Sequence, residues 1–212
     1  MKVGIISATG KAGSLIAKEA FDRGMDVTAI VRDKQKVNTD KYAVVEKDLY
    51  DLTPGDVEDF DAVVCAYGAP PDQAESIQTA FAHLIKVFEQ VPSVRIIFVG
   101  GAASLYTDYS KEHQLLETIP EEWKPIPYNT LLAFNEIKKS KANWTFFSPA
   151  GFFDANGPRT GRYTLGTDYV INNKAGESYL SYADYAIAMV DEIANKQFLG
   201  KRFTAVSENT AQ

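Results

Sequence analysis

The sequence predicts an α/β fold in which a doubly wound, mainly parallel sheet carries helices on both faces. Three observations lead to this prediction. Short apolar runs recur along the whole chain, and amphipathic helical stretches separate many of them. The runs are apolar throughout rather than alternating, as in strands buried on both faces of a parallel sheet. Strand and helix alternate as in βαβ units, whose crossovers are right-handed.

Each element follows from a local pattern. The run Lys2–Ile6 is the first strand, and Gly24 is the expected C-terminal cap of the helix that follows it. Ser181 is the expected N-cap of the last helix. The predicted strands are Lys2–Ile6, Val27–Val31, Tyr42–Lys47, Ala62–Ala66, Arg95–Val99, Trp144–Ser148 and Arg202–Val206, and the predicted helices are Ala12–Arg23, Pro71–Gln90, Tyr128–Lys141 and Tyr182–Asn195.

The domain organisation is predicted to be simple. The chain has 212 residues, which is enough for one well-buried core and short for two, and it contains no linker, internal repeat or low-complexity tract. We therefore expect one domain over residues 1–212. The segment Pro149–Gly176 is rich in Gly, Pro and Asn and interrupts the alternation. It is too short to bury a core of its own, so we expect a small, irregular, C-terminal substrate-side lobe within the domain.

Composition excludes several classes of function. The formal net charge is -6, which disfavours binding to nucleic acid or to an anionic membrane surface. No segment approaches the roughly 20 apolar residues of a membrane helix. One cysteine and two histidines make an internal disulfide impossible and a transition-metal site unfavourable. These features predict a cytoplasmic protein that acts on a small molecule and has no metal site, with no indication of oligomeric state.

The turn between the first strand and the first helix has the glycine spacing of a dinucleotide-binding site. Gly10 would let the backbone approach a pyrophosphate, and Gly13 would let the helix pack closely on the strand. Backbone N–H groups at the helix N-terminus would hold the phosphates. Ser7 stands where the usual pattern has glycine, so a plain strand–turn–helix without a ligand remains the alternative. The residues predicted to bind the dinucleotide here are Ser7, Thr9, Gly10, Lys11, Ala12 and Gly13.

The ends of the second and third strands carry candidates for the adenosine half of the dinucleotide. Arg32 follows the second strand, 22 positions after Gly10. An arginine there accommodates a 2′-phosphate, whereas an acidic residue binds the ribose 2′-hydroxyl. Arg32 therefore favours NADP over NAD, although the adjacent Asp33 suits a ribose and a solvated turn is the alternative. Asp48 is predicted to accept from the adenine amino group with Leu49 against the ring, unless Asp48 is simply a solvated loop residue.

The carboxyl ends of the remaining parallel strands should meet the same crevice, since ligands bind there in open α/β sheets. Ala66, Tyr67 and Gly68 follow the fourth strand, where small residues would admit the adenosine and its ribose. The other cofactor-binding residues predicted at strand ends are Gly100 and Pro149, and the wall residues predicted near the nicotinamide, as catalytic candidates, are Ser104 and Ser148.

Segments that carry a family resemblance run along nearly the whole chain; they are Lys2–Gly13, Val31–Arg32, Lys47–Leu49, Val99–Leu105, Trp144–Gly151, Arg159–Tyr163, Ser181–Glu192 and Arg202–Thr204. Together they resemble the atypical short-chain dehydrogenases/reductases of the NAD(P)H-flavin reductase-like type, which are related to biliverdin-IX-beta reductases and NmrA-like proteins. The resemblance implies a Rossmann-type doubly wound sheet, NADP binding, and reduction of a flavin or another flat conjugated acceptor. Some relatives bind the dinucleotide without demonstrated turnover, so a non-catalytic NADP-binding sensor is the alternative function.

The usual catalytic pair of short-chain dehydrogenases is absent from the sequence. That pair is a tyrosine with a lysine four residues later, in which the lysine lowers the tyrosine pKa. Neither Tyr128, followed at that spacing by Leu132, nor Tyr182, followed by Ala186, forms it, and no other tyrosine of the chain does. Carbonyl–alcohol chemistry and nucleotide-sugar epimerisation are therefore disfavoured. Flavin reduction does not require such a pair, because the cofactor carries out the hydride transfer and the protein only has to orient the two reactants.

Three residues of the lobe are candidates for contact with the acceptor. Phe152 and Phe153 are predicted to stack on a flat substrate, although core packing explains them equally well. Arg159, with Arg162 and Tyr163 close by, is predicted to hold a flavin phosphate or another acidic group. Pairing of this cluster with acidic residues at the surface, such as Asp154 or Asp168, is the alternative.

Overall fold

A computed structural model describes residues 1–209 as a doubly wound α/β sheet with flanking helices, which confirms the predicted fold class. The strands are β1 (Lys2–Ile6), β2 (Asp26–Val31), β3 (Ala43–Glu46), β4 (Ala62–Cys65), β5 (Arg95–Val99), β6 (Trp144–Ser148), β7 (Phe152–Asp154), β8 (Tyr163–Gly166), β9 (Tyr179–Ser181) and β10 (Lys201–Ser207). The helices are α1 (Lys11–Asp22), α2 (Pro54–Val57), α3 (Ser76–Phe88), α4 (Pro125–Ile137) and α5 (Tyr182–Asn195).

Eight strands form the main sheet in the order β3-β2-β1-β4-β5-β6-β10-β8. Every neighbouring pair is parallel except β10 and β8. Helices α1 and α5 cover one face and α3 and α4 cover the other, each over its own apolar core. All five residues of β6 are buried, including Thr145 and Ser148, so its sequence does not alternate between a core face and a solvent face.

The helix boundaries differ from prediction where proline and glycine set them. Helix α3 begins at Ser76 rather than Pro71, because Pro71–Gln73 forms a separate 3-10 turn. Helix α4 begins at Pro125, a favourable residue for a first helical position. The two predicted caps are confirmed: Gly24 has φ +77° after α1, and the Ser181 hydroxyl accepts from the backbone N–H of Asp184 at 3.0 Å.

The expectation that Pro149–Gly176 is irregular is wrong in part, because two strands form within it. Strand β7 pairs with β9 in a small parallel sheet, and β8 pairs antiparallel with β10 at the edge of the main sheet. Strand β8 has two exposed residues in the middle, so it has no apolar run for sequence analysis to detect. Within residues 1–209, no helix is long and apolar enough to span a membrane.

A buried ion pair fixes α5 to the amino end of β5. The side chains of Arg95 and Glu192 are each only 3% exposed, and their Nη1 and Oε1 atoms lie 2.7 Å apart. Nη2 of Arg95 also donates to the Glu192 carbonyl at 2.7 Å and to the Ile193 carbonyl at 3.1 Å. Burial lowers the pKa of Arg95, and the nearby Glu192 carboxylate opposes that effect.

Candidate functional site

A cleft of about 580 Å³ lies along the edge of the sheet where the parallel strands end. It runs from the β1–α1 turn and the ends of β2 and β4 to the ends of β5 and β6. Thirteen predicted site residues line it, namely Ser7, Thr9, Gly10, Lys11, Ala12, Arg32, Leu49, Ala66, Tyr67, Gly68, Gly100, Pro149 and Phe153. The fold thus brings together residues that are far apart in the sequence.

Ser7 occupies a backbone conformation that glycine usually provides. Its φ is +61°, in the left-handed region. The Ser7 N–H donates to the Ile30 carbonyl at 2.9 Å, and the Ser7 carbonyl accepts from the Gly10 N–H at 2.9 Å. The serine therefore forms the tight turn that the usual glycine would form, at the cost of about 1–2 kcal/mol for a left-handed L-residue.

Gly13 allows α1 to pack directly on this turn. A Cβ atom on Gly13 would lie 2.4 Å from the Ser7 carbonyl oxygen, closer than any real Cβ contact. Gly13 is buried and lies behind the cleft rather than on its surface. Gly10 is the N-cap of α1, and neither a side-chain cap nor an acidic residue occupies the first turn. This open helix N-terminus, cradled by glycine, fits the phosphates of a dinucleotide.

Three cations line the end of the cleft next to β2 and β3, where the sequence predicts the adenosine: Arg32, Lys36 and Lys47. Within residues 1–209, Arg32 has no carboxylate partner. Asp33 accepts from the Gln35 N–H at 3.0 Å and lies 3.6 Å from Nζ of Lys36. Lys47 binds both oxygens of Asp56 and, with Thr53, lowers the pKa of that carboxyl to about 2. Sequence analysis missed Lys36 and Lys47, although Lys36 belongs to the same polar turn as Arg32.

Asp48 differs from its expected role. Its carboxylate accepts from the Tyr50 N–H at 3.0 Å and so caps the short 3-10 turn Leu49–Asp51, and the residue does not line the cleft. Asp residues often bond the backbone two positions later in this way. Leu49 is buried and does line the cleft.

Two walls enclose the other end of the cleft. One consists of Gly101, Ile126 and Thr130, and the opposite wall consists of Phe153 and Tyr182. Gly100 lies between them at the end of β5, where a Cβ would come within 2.3 Å of the Phe146 ring. Sequence analysis did not assign Ile126, Thr130 or Tyr182 to the site, because nothing in the sequence shows which face of α4 or α5 meets the sheet edge.

The structure does not bring Ser104 and Ser148 to the cleft wall, in contrast to expectation. Both residues are buried. The carbonyl and hydroxyl oxygens of Ser104 accept from Nη1 of Arg202 at 2.6 and 2.8 Å. The Ser148 hydroxyl is buried without a hydrogen-bond partner among residues 1–209. Both serines lie near strand ends, as predicted, but their side chains are packed inside the protein.

The two phenylalanines of the lobe lie on different surfaces because they alternate along β7. Phe153 lines the cleft, and its ring centroid is 3.8 Å from that of Tyr182 and 4.9 Å from that of Tyr185. Phe152 is 63% exposed and borders a separate, open pocket beside Asp154. Core packing alone, the alternative raised from the sequence, therefore does not describe either phenylalanine.

Arg159 does not reach the cleft. Its Nη2 atom pairs with a Glu19 carboxylate oxygen on α1 at 3.0 Å, and its side chain is 59% exposed. Nearby Tyr163 donates to Asp191 on α5 at 2.5 Å. Surface pairing, the alternative raised from sequence, is what this geometry favours, although the partner is neither Asp154 nor Asp168.

The strand order, the glycine turn and the cleft define a Rossmann-type nucleotide-binding fold. The family described as NAD(P)H-binding matches residues 7–196, and the chain belongs to this family. The predicted resemblance to atypical short-chain dehydrogenases/reductases is thereby confirmed at the level of the family.

Similar proteins match over nearly the full length of the chain. The uncharacterized protein YwnB of Bacillus subtilis is 46% identical over 211 residues, which cover 98% of this chain and 99% of YwnB. A Streptococcus pneumoniae structure called "a putative NADH-flavin reductase" is 37% identical with a TM-score of 0.93, covering 98% of this chain and all of that one. A "putative epimerase" from Bacteroides thetaiotaomicron is 32% identical with a TM-score of 0.87, covering 99% of each chain.

Proposed function

We propose that the protein is a reductase that uses NADPH to reduce a flavin, or a similarly flat conjugated acceptor, without a Tyr–Lys pair. The cleft carries this proposal, because it joins a glycine-cradled helix N-terminus at one end to an aromatic wall at the other. The name of the Streptococcus pneumoniae structure supports flavin as the acceptor. In this proposal flavin is a substrate that comes and goes rather than a resident cofactor.

The phosphate turn is the proposed anchor for the dinucleotide. The backbone N–H groups of Thr9, Lys11 and Ala12 would hold the pyrophosphate, since the N-terminus of α1 has no side-chain cap and the Gly10 N–H is already bonded to Ser7. Leu49 would pack on the adenine, and the segment Ala66–Gly68 would leave room for the adenosine ribose. A bound reduced nicotinamide would supply the hydride, and the task of the protein is to orient the two reactants and exclude water.

The charge at the adenosine end favours NADPH as the cofactor. Arg32 and Lys36 line the cleft and would both attract a 2′-phosphate. Asp33, which would otherwise suit the 2′-hydroxyl of NADH, already caps a turn and lies beside Lys36. The name of the Streptococcus pneumoniae structure refers instead to NADH, so the two cofactors are compared directly in the test below.

Two measurements on the purified protein test this function. Calorimetric titration with NADPH and NADH gives the two affinities at one salt concentration. Absorbance in the nicotinamide band then follows oxidation when riboflavin or FMN is added. Tight NADPH binding with saturable, flavin-dependent oxidation is expected. Tight binding without oxidation by any flat acceptor would refute the reductase and favour an NADP-binding sensor, and absence of binding would refute both.

A further inference from the structure

Tyr182 is held firmly at the end of the cleft that faces the acceptor. It is the first residue of α5, directly after the buried N-cap Ser181. Its ring packs against Phe153, which in turn packs against the fully buried Tyr185. Tyr185 stacks on Phe147 at 3.9 Å and donates to the Phe147 carbonyl at 3.0 Å. The backbone cap and this stack of rings leave Tyr182 little freedom to move.

The hydroxyl of Tyr182 differs from those of the nearby tyrosines. Tyr185, Tyr179 and Tyr67 bond to Phe147, Asp154 and Ser76 at 3.0, 3.0 and 2.8 Å. Within residues 1–209, the Tyr182 hydroxyl has no hydrogen-bond partner, although the residue is half-buried and lines the cleft. The hydroxyl is accessible from the cleft rather than buried, so a ligand bound there can accept its hydrogen bond in place of solvent.

The chemical state of this phenol suits a hydrogen-bond donor. Burial raises the pKa of Tyr182 above its ordinary value, and burial is the only cause, since no charged side chain contributes. Tyr185, three residues further along α5, is fully buried, and its pKa is raised as well. Tyr182 therefore keeps its proton at neutral pH and presents an O–H group to the cleft.

We propose that the Tyr182 hydroxyl donates a hydrogen bond to the conjugated acceptor at the atom where negative charge develops on reduction. This inference rests on the proposed reductase function. It gives a catalytic role to Tyr182, which has no lysine four residues later and so does not form a Tyr–Lys pair. The reduced nicotinamide is oxidised and the acceptor gains the hydride with its two electrons. The charge then appears on a conjugated heteroatom, and Tyr182 stabilises it without losing its own proton, as an oxyanion-hole donor does.

The variant Tyr182→Phe tests this role because it keeps the ring and removes only the hydroxyl. With NADPH and FMN, kcat is expected to fall about 100-fold, the typical loss when one such donor is removed. Calorimetry should give an NADP⁺ affinity within about twofold of wild type. The affinity for FMN in the presence of NADP⁺ should weaken by up to about tenfold, the value of one neutral hydrogen bond.

Tyr128→Phe is the matched control, because Tyr128 is an exposed tyrosine on α4 that does not line the cleft. It should behave as wild type. If Tyr182→Phe keeps wild-type kcat and FMN affinity, the inference is wrong while the reductase function stands. If Tyr182→Phe weakens NADP⁺ as much as it lowers kcat, the hydroxyl belongs to the cofactor site and the inference is again wrong. If wild type itself never oxidises NADPH with flavin, the proposed function fails and the inference fails with it.

Discussion

Replacing Arg32 with alanine should separate the two nicotinamide cofactors. Arg32 lines the adenosine end of the cleft and, among residues 1–209, has no carboxylate to neutralise it. A charge-assisted hydrogen bond to a 2′-phosphate contributes about 1.5–3 kcal/mol. With each 1.4 kcal/mol worth about tenfold in affinity, NADPH should bind Arg32→Ala roughly 10- to 150-fold more weakly.

NADH lacks the 2′-phosphate, so it should lose only the stacking of the guanidinium on adenine. We expect a loss of less than about fivefold for NADH, since an exposed cation over an aromatic face contributes about 0.5–1 kcal/mol. Lys36→Ala should follow the same pattern more weakly, because its ammonium is an exposed point charge beside Asp33.

Calorimetric titration of both cofactors, at one low and one high salt concentration, measures these effects. The NADPH preference of wild type should shrink at high salt, because the site is exposed and screened. Arg159→Ala is the control, since Arg159 is an exposed arginine outside the cleft. Equal losses of NADPH and NADH affinity in Arg32→Ala would remove Arg32 from the 2′-phosphate and refute the reasoning.

Three further predictions concern stability, measured by urea unfolding. Gly13→Ala should destabilise by about 1–3 kcal/mol, because the new Cβ would press on the Ser7 carbonyl; Gly55→Ala, where a Cβ has room, is its control, and an equal effect of both would contradict the packing argument. Ser7→Gly should stabilise by about 0.5–1 kcal/mol by relieving the positive φ, and a loss of stability would show that the serine side chain supports the turn. Arg95→Met should cost about 3–5 kcal/mol, because the buried Glu192 carboxylate loses its opposite charge and keeps only the backbone N–H groups of Gln197 and Phe198; adding Glu192→Gln, which removes the charge but keeps an acceptor oxygen for them, should recover much of it, and no recovery in the double variant would mean that packing, not charge, causes the loss.

The fold was predictable where burial leaves a continuous or periodic apolar pattern. The bounds of β1, β6 and α5 agree with prediction, since apolar residues dominate the two strands and recur at helical spacing along α5. Strands β7, β8 and β9 were missed, because β8 is a half-exposed edge strand and β7 and β9 have only three residues each. Their partners lie far away in the sequence, and no local pattern records such pairing.

The site was predictable only as far as backbone requirements decide it. Glycine is required in the phosphate turn and at the end of β5, because other atoms there leave no room for a Cβ atom, and such a requirement can be recognised in the sequence. The direction in which a side chain points cannot be recognised in the same way. Ser148 and Asp48 lie at strand ends as predicted, yet one is buried and the other caps a turn. Tyr182 reaches the cleft only because α5 begins beside the end of β6.

The pairing of Arg159 with Glu19 gives α1 two connections at once. The first turn of α1 forms the phosphate end of the cleft, and the last turn of the same helix holds the lobe that carries Phe153. An exposed ion pair contributes about 0–1 kcal/mol and is screened by salt, so this attachment of the lobe to α1 should weaken as ionic strength rises.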